Sequence, residues 1–439
     1  MSQIKKWKYK RISEIASVTD GIHSSIDFCE NSEINLISAK SPKDNYFDLS
    51  GNAYISTKQH KENPKTALRL NDVIISTVGT IGNTAVVQQE QLPANSDRHV
   101  GIIRIKENIP AYYLSTFLNS KYGRFQSLRE STGNVQLSLF VYKINEMLIP
   151  VFDDKFHESI QGQCELAHQK LRQSKIVYEQ AQNLLLEHLG LKDFNPPTQT
   201  VNIKSFADSF GTSGRLDAEF YQEKYESYLE KIQAFNNGFI QIQQEYSQVK
   251  SKSKFDLPAY QYIEIGDINV SDGSYSFNEV AIEDLPANAK IMVKKGDILI
   301  STVRPNRGAV AIVEHDRDDL IVSGAFTVLR KKAKSHFNNE FLKVLLRIAI
   351  YKDWLLQFNV GTSYPVIKDE DILNLVIPNV EETIQTQIAD LILQSNYLRI
   401  KSKGLLEKAK KAVELAIEKD QESALDFIKG KQTNDCNVH

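Results

Sequence analysis

The sequence predicts an α+β protein in which two duplicated β-rich domains are separated by a long antiparallel helical coiled coil. Three observations predict this fold class. The chain has 439 residues, about three times the length of a typical domain. Its two halves repeat each other, and a long stretch with heptad spacing follows each β-rich half. A duplicated chain of this kind has a pseudo-twofold, nearly circular layout.

The repeat consists of collinear sequence matches about 225 residues apart. Residues 70–78 match residues 295–303, and residues 148–150 match residues 376–378. The match resumes in the heptad stretches, where residues 158–163 correspond to the segment that begins at Glu382. Small changes in the offset are what loop insertions and deletions produce in a duplicated domain.

The two β-rich domains are predicted over residues 1–152 and 193–380. Each contains short β-branched runs interrupted by Gly, Pro and Asn, which is typical of strands and turns. Helical spacing predicts helices over Tyr112–Leu128 and Asn339–Leu356, and the stretch Gln222–Pro258 is predicted to be a helical insertion followed by a loop. The predicted strands are Asp72–Ser76, Thr84–Val87, Ile102–Ile105, Asp297–Thr302, Val310–Val313 and Thr327–Leu329.

A long spacer helix is predicted after each domain, over residues 153–192 and 381–428, and residues 429–439 are predicted to form a flexible tail. Apolar or small residues recur at alternating spacings of four and three, the pattern of a coiled-coil seam. The first helix leads from one domain to the other, so the second must run antiparallel to it if the seams pack together. The predicted seam comprises Ile160, Ala167, Leu171, Leu185, Ile384, Ile388, Leu391, Leu398 and Leu405.

Composition excludes several classes of protein. The chain has 53 Lys+Arg against 55 Asp+Glu, so any nucleic-acid role must depend on local surfaces rather than on a polycationic coat. With 41% hydrophobic and 25% charged residues, wholesale disorder is excluded. Cys29, Cys164 and Cys436 are too few and too far apart for a disulfide framework or a metal knuckle, so a cytoplasmic protein is expected. No stretch approaches the roughly 18 apolar residues of a membrane span, and no membrane is expected as a partner.

Catalytic motifs are weak or missing, so neither enzymatic activity nor a bound metal is expected. Asn195–Thr198 lacks the aromatic residue of an amino-methyltransferase loop, and Phe210–Gly214 lacks the middle glycine of a cofactor loop. No Gly-x-x-x-x-Gly-Lys-Ser/Thr loop for a nucleoside triphosphate occurs. Ser96–His99 contains a base and an orienting carboxylate, but the corresponding stretch Val322–Gly324 keeps neither. His99 is therefore favoured as a polar or nucleic-acid contact.

Two pairs of polar loops supply the candidate nucleic-acid contacts. Gly79–Asn83 follows one buried strand and Arg304–Gly308 follows its counterpart, while residues 132–138 correspond to residues 360–365. Arg reads guanine edges, Asn and Gln read adenine edges, and small hydroxyl residues and glycine allow close approach to phosphates. Because the loops differ in chemistry, the two domains are expected to recognise different targets; ordinary solvated turns are the alternative. The predicted contacts are Ser76, Thr77, Thr80, Asn83, Arg98, His99, Asn134, Gln136, Thr302, Arg304, Asn306, Arg307, Thr362, Ser363 and Tyr364.

These residues resemble the specificity subunits of Type I restriction-modification systems. The resemblance is carried by residues 72–82, 215–221, 262–268 and 296–305, and by the order of domain, helix, domain and helix. It implies two target-recognition domains that each read half of a bipartite, asymmetric double-stranded DNA target. It also implies that the helices dock two methyltransferase subunits and that restriction or motor subunits join them. The chain itself would be non-catalytic and without a cofactor, with S-adenosylmethionine, ATP and Mg expected in the partner subunits.

Three other interpretations remain open at this point. A specificity subunit of a related system, in which methyltransferase and nuclease are fused, would have the same sequence pattern. A β-rich binding or scaffold protein with a coiled coil would show the repeat but would not bind duplex DNA. A hydrolase with an undetected site would lose activity on substitution of one residue such as His99.

Overall fold

The β-branched runs of the sequence form short, buried strands. In the computed structural model, which describes residues 7–133, 136–199, 201–250 and 255–430, every residue of Val73–Ser76 and of Ile298–Ser301 is buried. β-branched side chains suit a pleated surface that is covered on both faces. The protein folds as two units: unit 1 comprises Met1–Ser174 and Asn396–His439, and unit 2 comprises Lys175–Ser395.

Unit 1 is built on a four-stranded antiparallel sheet, a three-stranded sheet and a two-stranded pair. Its strands β1 to β9 are Lys8–Arg11, Ala16–Asp20, Ile34–Ile37, Ala53–Ile55, Val73–Ser76, Thr84–Val86, Ala94–Ser96, Val100–Ile105 and Leu148–Val151. The sheet orders are β2-β8-β5-β6, β4-β3-β7 and β1-β9, with β3 and β7 parallel. The short helices α1 to α5 are Ile12–Ile15, Thr57–Glu62, Ala111–Asn119, Lys121–Glu130 and Val141–Glu146.

The first long helix, α6, covers Asp154–His188. Unit 2 then continues with short helices α7 to α12, which are Phe210–Ser213, Glu223–Gln233, Ile242–Glu245, Asn339–Leu345, Ala349–Trp354 and Asp369–Leu373. Its strands β10 to β19 are Phe239–Gln241, Tyr246–Gln248, Ala259–Ile263, Asn278–Ala281, Ala289–Met292, Ile298–Ser301, Val310–Ile312, Leu320–Ser323, Phe326–Lys331 and Val376–Pro378. The sheet orders are β11-β18-β15-β16, β13-β12-β17-β14 and β10-β19, with β12 and β17 parallel.

The second long helix, α13, covers Glu382–Glu418 and is followed by α14, Gln421–Lys429. The spacer helix predicted over residues 381–428 is thus two helices. The carboxylate of Asp420 accepts a hydrogen bond from the backbone N–H of Ser423 at 2.8 Å, which caps a new helix instead of continuing the old one. Most of the predicted tail lies outside the described residues, which end at 430.

Each unit buries part of both long helices in its core. In unit 1, Cys164 and Ala167 of α6 share a buried apolar cluster with Ala409 of α13. In unit 2, Leu185 of α6 shares a cluster with Ile388 of α13. Small and aliphatic residues at these positions allow close helix packing, as the heptad pattern requires.

The buried stripe of α13 departs from the predicted seam at alternate positions. Four residues of the predicted seam are fully buried: Ile160, Ala167 and Leu185 of α6, and Ile388 of α13. The other five are only half-buried: Leu171 of α6, and Ile384, Leu391, Leu398 and Leu405 of α13. One position later, Gln385, Ile392 and Leu406 are buried instead. Leu391 and Leu405 are each followed by another aliphatic residue, so the sequence allows two apolar stripes with the same heptad spacing, one residue apart. In the structure, the stripe one position later is the buried one.

Three predicted segments are divided differently in the structure. The helix predicted over Tyr112–Leu128 breaks at Ser120, whose backbone is extended and whose hydroxyl accepts a hydrogen bond from Gly123 N–H. The helix predicted over Asn339–Leu356 breaks at Ile348, whose backbone is also extended but which makes no side-chain cap. The stretch Gln222–Pro258 holds α8 as predicted, but β10, α9 and β11 replace the expected loop, because β10 pairs with the distant strand β19.

Candidate nucleic-acid interface

In unit 2, the loop after β15 lies against the loop that carries Tyr364. The backbones of Val303 and Val366 form a bridge. The N–H of Arg304 donates to the carbonyl of Pro365 at 2.7 Å. The two candidate loops of unit 2 therefore form one surface at the end of the four-stranded sheet.

Arg304 has a left-handed backbone, with φ 50° and ψ 53°. This conformation costs a non-glycine residue about 1 to 2 kcal/mol, and such strain concentrates at functional sites. It places Arg304 at the start of a 3₁₀ turn, Pro305–Arg307, with its side chain exposed. The guanidinium carbon of Arg304 lies 5.4 Å from the centre of the exposed Tyr364 ring, within cation–π range.

Arg304, Arg307 and Tyr364 line a cleft of about 490 Å³ with an apolar side formed by Ile265 and Ile268. Within the described residues, neither Arg304 nor Arg307 has an ion-pair partner. Their donors are therefore available to an anionic or carbonyl-bearing ligand. Asn306, Thr362 and Ser363, also predicted contacts, are exposed beside the cleft residues in sequence.

A network behind the cleft holds the Tyr364 loop in shape. The side-chain oxygen of Asn359 accepts hydrogen bonds from Gly361 N–H at 2.8 Å and Val366 N–H at 2.9 Å. Arg215 donates to the backbone carbonyl of Asn359 at 2.8 Å, and its hydrogen bond to Asp217 holds the pKa of that carboxyl below its usual value. The role of Arg215 in this loop was not predicted, because the sequence does not show which distant loop it reaches.

Unit 1 brings its predicted loops together in a similar way, but neither loop sequence, residues 79–83 or 132–138, contains an arginine. Val78 and Ser138 form a backbone bridge, and Leu139 N–H donates to the Thr77 carbonyl at 2.9 Å. Thr80 and Gln136 are exposed, and Asn83 is half-buried. The remaining predicted contact of these loops, Asn134, lies outside the described residues.

Three predicted contacts are buried, which corrects their expected place on the surface. Ser76, Thr77 and Thr302 are no more than 8% exposed. The hydroxyl of Ser76 donates to the carbonyl of Ala39 at 2.9 Å, and that of Thr302 donates to the carbonyl of Ala325 at 2.8 Å. Strand-end hydroxyls of this kind satisfy backbone carbonyls inside the unit, so they support the loops and do not face solvent.

A second cleft in unit 1, of about 600 Å³, includes His99 together with Phe28, Lys40 and Lys43. Phe28 is 68% exposed, and neither lysine has an ion-pair partner among the residues that the structure describes. His99 lies 3.6 Å from a carboxylate oxygen of Asp97 and 3.4 Å from Nε of the exposed Arg98. Phe28 and the two lysines were not predicted as contacts, since they lie in irregular segments far from the repeated motifs.

Metal and thiol chemistry find no geometric support in the described part of the chain. There, no group of three or more His, Cys, Asp or Glu residues is placed to hold a metal ion. Cys29 and Cys164 form no disulfide, and burial raises the pKa of the Cys164 thiol to about 12, so the thiol is protonated. None of the described helices combines the length and the apolarity that crossing a membrane requires.

The chain is similar in sequence to a curated relative and aligns along most of its length with two solved structures. Part of the chain, 146 residues, is 32% identical to the Type I restriction enzyme HindI specificity subunit of Haemophilus influenzae; the match covers 32% of this chain and 31% of that relative, about a third of its length. The S subunit of a Type I restriction-modification system from M. genitalium aligns over 96% of both chains, with 11% identity and a TM-score of 0.43. The HsdS subunit from Thermoanaerobacter tengcongensis aligns over 97% of both chains, with 13% identity and a TM-score of 0.29.

A family model gives the most specific result. Residues 231–411 match the Type I restriction modification DNA specificity domain. The matched range includes residues 262–268 and 296–305, two of the four segments that carry the resemblance, and the comparisons confirm that resemblance. It also includes the cleft of Arg304 and Tyr364. Residues 231–411 are thus the part of the chain that is similar to the Type I restriction modification DNA specificity domain.

Proposed function

We propose that this chain is the DNA sequence-specificity subunit of a Type I restriction-modification complex. One observation carries the proposal: within the matched domain, Arg304 is exposed, has no ion-pair partner among the described residues and is stacked on Tyr364. A guanidinium held in this way is suited to a bidentate contact with a guanine edge. The chain itself is proposed to be non-catalytic and to act in the cytoplasm.

We further propose that units 1 and 2 contain duplicated target-recognition domains. The order β2-β8-β5-β6 of unit 1 has its counterpart in β11-β18-β15-β16 of unit 2. Asp72 accepts two hydrogen bonds from the guanidinium of Arg104, and Asp297 accepts two from Arg330. These parallels support one ancestral domain. Each domain would read one half of a bipartite target, and the halves would differ because their clefts differ.

The long helices are proposed to form the antiparallel coiled coil and to bind the methyltransferase subunits. Support for antiparallel packing comes from the clusters in which early α6 residues meet late α13 residues, and late α6 residues meet early ones. Tyr397 and Ile400 of α13 are each more than 60% exposed although both are large and hydrophobic. An exposed apolar pair three residues apart on one helix suits a partner interface.

In the assembled complex, two methyltransferase subunits would supply S-adenosylmethionine chemistry, and restriction or motor subunits would use ATP and Mg²⁺. The test is to express the chain with the methyltransferase encoded beside it and to sequence the methylated sites. A bipartite motif with two unlike halves is expected. Co-purification without any effect on DNA, or absence of duplex binding, would favour a scaffold protein instead.

A further inference from the structure

Arg347 of unit 2 is buried and connects three separate elements. It is only 5% exposed, and no carboxylate among the described residues pairs with it. Its Nε donates to the hydroxyl of Tyr178 at 3.0 Å, Nη1 to the carbonyl of Gly308 at 2.8 Å and Nη2 to the carbonyl of Val270 at 2.9 Å. Tyr178 lies on the long helix α6, and Val270 lies in the segment after β12. Gly308 ends the loop Arg304–Gly308. We call this loop, and Gly79–Asn83 of unit 1, the recognition loops.

Gly308, at the end of this loop, packs closely against the side chain of Lys352. Gly308 has φ +73°, and a Cβ atom there would lie 2.9 Å from Cδ of Lys352. Burial and the charge of Arg347 together lower the pKa of Lys352, so the two cations share a partly desolvated region. A buried guanidinium without a carboxylate depends on its carbonyl and hydroxyl acceptors, because a buried charge is costly unless it is hydrogen-bonded.

Unit 1 makes a comparable three-way connection with different residues. Arg124 donates from Nη1 to the carbonyl of Ile81 at 3.1 Å and from Nη2 to the carboxylate of Asp44 at 3.0 Å. The other oxygen of Asp44 lies 3.4 Å from Nζ of Lys410 on the long helix α13. Gly82, at φ +83°, packs closely against Ser127, because a Cβ atom there would lie 2.8 Å from the Ser127 hydroxyl oxygen, and Cδ of Arg124 would be in ordinary contact at 3.5 Å.

We propose that Arg347 and Arg124 are positioning residues that fix each recognition loop to a long helix, so that the loop conformation that reads DNA depends on the helix. The inference rests on the proposed function and extends it, because the same helices are proposed to bind the methyltransferase. Neither arginine lines the clefts of Arg304 or His99. Any effect of these residues on recognition must therefore pass through the loops.

Tyr178→Phe tests the connection in unit 2 with the smallest possible change. It removes one acceptor of Arg347 and keeps the ring, whose centre lies 6.0 Å from the guanidinium carbon. Lys410→Met is the equivalent test in unit 1. Tyr122→Phe is the matched control, because its hydroxyl donates to the exposed Glu418 at 3.1 Å and to no recognition loop. Arg347→Lys keeps the charge but loses the planar fork of donors.

The measurement is methylation-site sequencing of the full chain assembled with its methyltransferase, together with thermal melting. A hydrogen bond to a charged group is worth about tenfold in an equilibrium, so Tyr178→Phe should relax discrimination about tenfold in one half-site and leave the other unchanged. Lys410→Met should relax the opposite half-site, and Tyr122→Phe should relax neither. Arg347→Lys should relax the same half-site as Tyr178→Phe.

Unchanged motifs in both Tyr178→Phe and Lys410→Met would overturn the inference, and so would an equal loss of methylation at all sites. If Arg347→Lys does not fold, Tyr178→Phe decides the question. A wild-type complex that methylates no bipartite sequence would instead overturn the proposed function itself. The two failures are therefore distinguishable.

Discussion

The guanidinium carbon of Arg304 lies 5.4 Å from the centre of the Tyr364 ring, although the two residues come from separate loops. The contact depends on the bridge between Val303 and Val366, which joins the loops at their bases. An aromatic ring beneath a guanidinium restricts its motion and directs its planar donors outward. The pair is thus preformed for the base contact that we propose for Arg304.

Replacing Arg304 with alanine should reduce discrimination in one half-site by about 1–3 kcal/mol, the value of one bidentate base contact. The other half-site should keep its preference, because Arg304 belongs to unit 2 alone. Methylation-site sequencing of the assembled variant provides the measurement. Arg317→Ala is the matched control, since that guanidinium is already bonded to Asp319. Equal relaxation in both variants would contradict the assignment.

The bonded pair of Asp297 and Arg330 should contribute to the stability of unit 2. Asp297 is 1% exposed, so Arg330→Ala leaves a buried carboxylate without its main partner. We expect a loss of about 2 kcal/mol in the free energy of unfolding, the upper range for a hydrogen bond to a charged group. Adding Asp297→Ala should cost less than the sum of the two single changes. Urea denaturation measures both effects.

Lys10→Ala is the control for that experiment, because its ion pair with Glu107 is exposed on both sides. An exposed pair contributes at most about 1 kcal/mol. If Lys10→Ala and Arg330→Ala destabilise the protein equally, burial does not strengthen the Asp297 pair as argued.

The position of the buried stripe on α13 predicts a difference between two charged substitutions. Ala409 is fully buried against α6 residues, so Ala409→Asp should destabilise the protein by several kcal/mol. Leu398 is half-buried, and Leu398→Asp should cost clearly less because the new charge can reach water. Thermal melting of both variants checks the order. A larger loss of stability in Leu398→Asp than in Ala409→Asp would instead support a buried stripe through Leu391, Leu398 and Leu405.

The exposed residue Ile400 predicts a separation between folding and assembly. Ile400→Asp should prevent co-purification of the methyltransferase while leaving the melting temperature of the isolated chain nearly unchanged. The cause is a charge placed in an apolar interface that forms only on assembly. Ile282→Asp, at a partly exposed site in unit 2, should leave assembly intact. Retention of the full complex by Ile400→Asp on gel filtration would exclude this face of α13.

Local patterns predicted the regular elements well where a long run or a repeat was available. The β-branched runs became β5 and β15, and the heptad spacing marked α6 almost to its ends. Pairing between distant segments was not predictable in the same way. Phe239–Gln241 is a strand because it pairs with Val376–Pro378, and nothing in its own composition shows that partner.

In the candidate site too, the residue types were predictable from the sequence, whereas the contacts between distant segments were not. Arg304 and Tyr364 were both predicted as contacts, but their stacking depends on a left-handed backbone at a non-glycine residue. Ser76 and Thr302 have the polar character of contacts, yet their hydroxyls satisfy carbonyls inside the units. Burial of a polar strand end is decided by the segments packed over it, which residue type alone does not reveal.

The most direct test of the central claim is methylation-site sequencing of the assembled complex carrying either Arg304→Ala or Lys43→Ala. Arg304 lies in the cleft of unit 2, and Lys43 lies in the cleft of unit 1. If each unit reads one half of a bipartite target, the first change relaxes one half-site and the second relaxes only the other. A contiguous target, or the loss of preference in both halves from either change, would contradict the account.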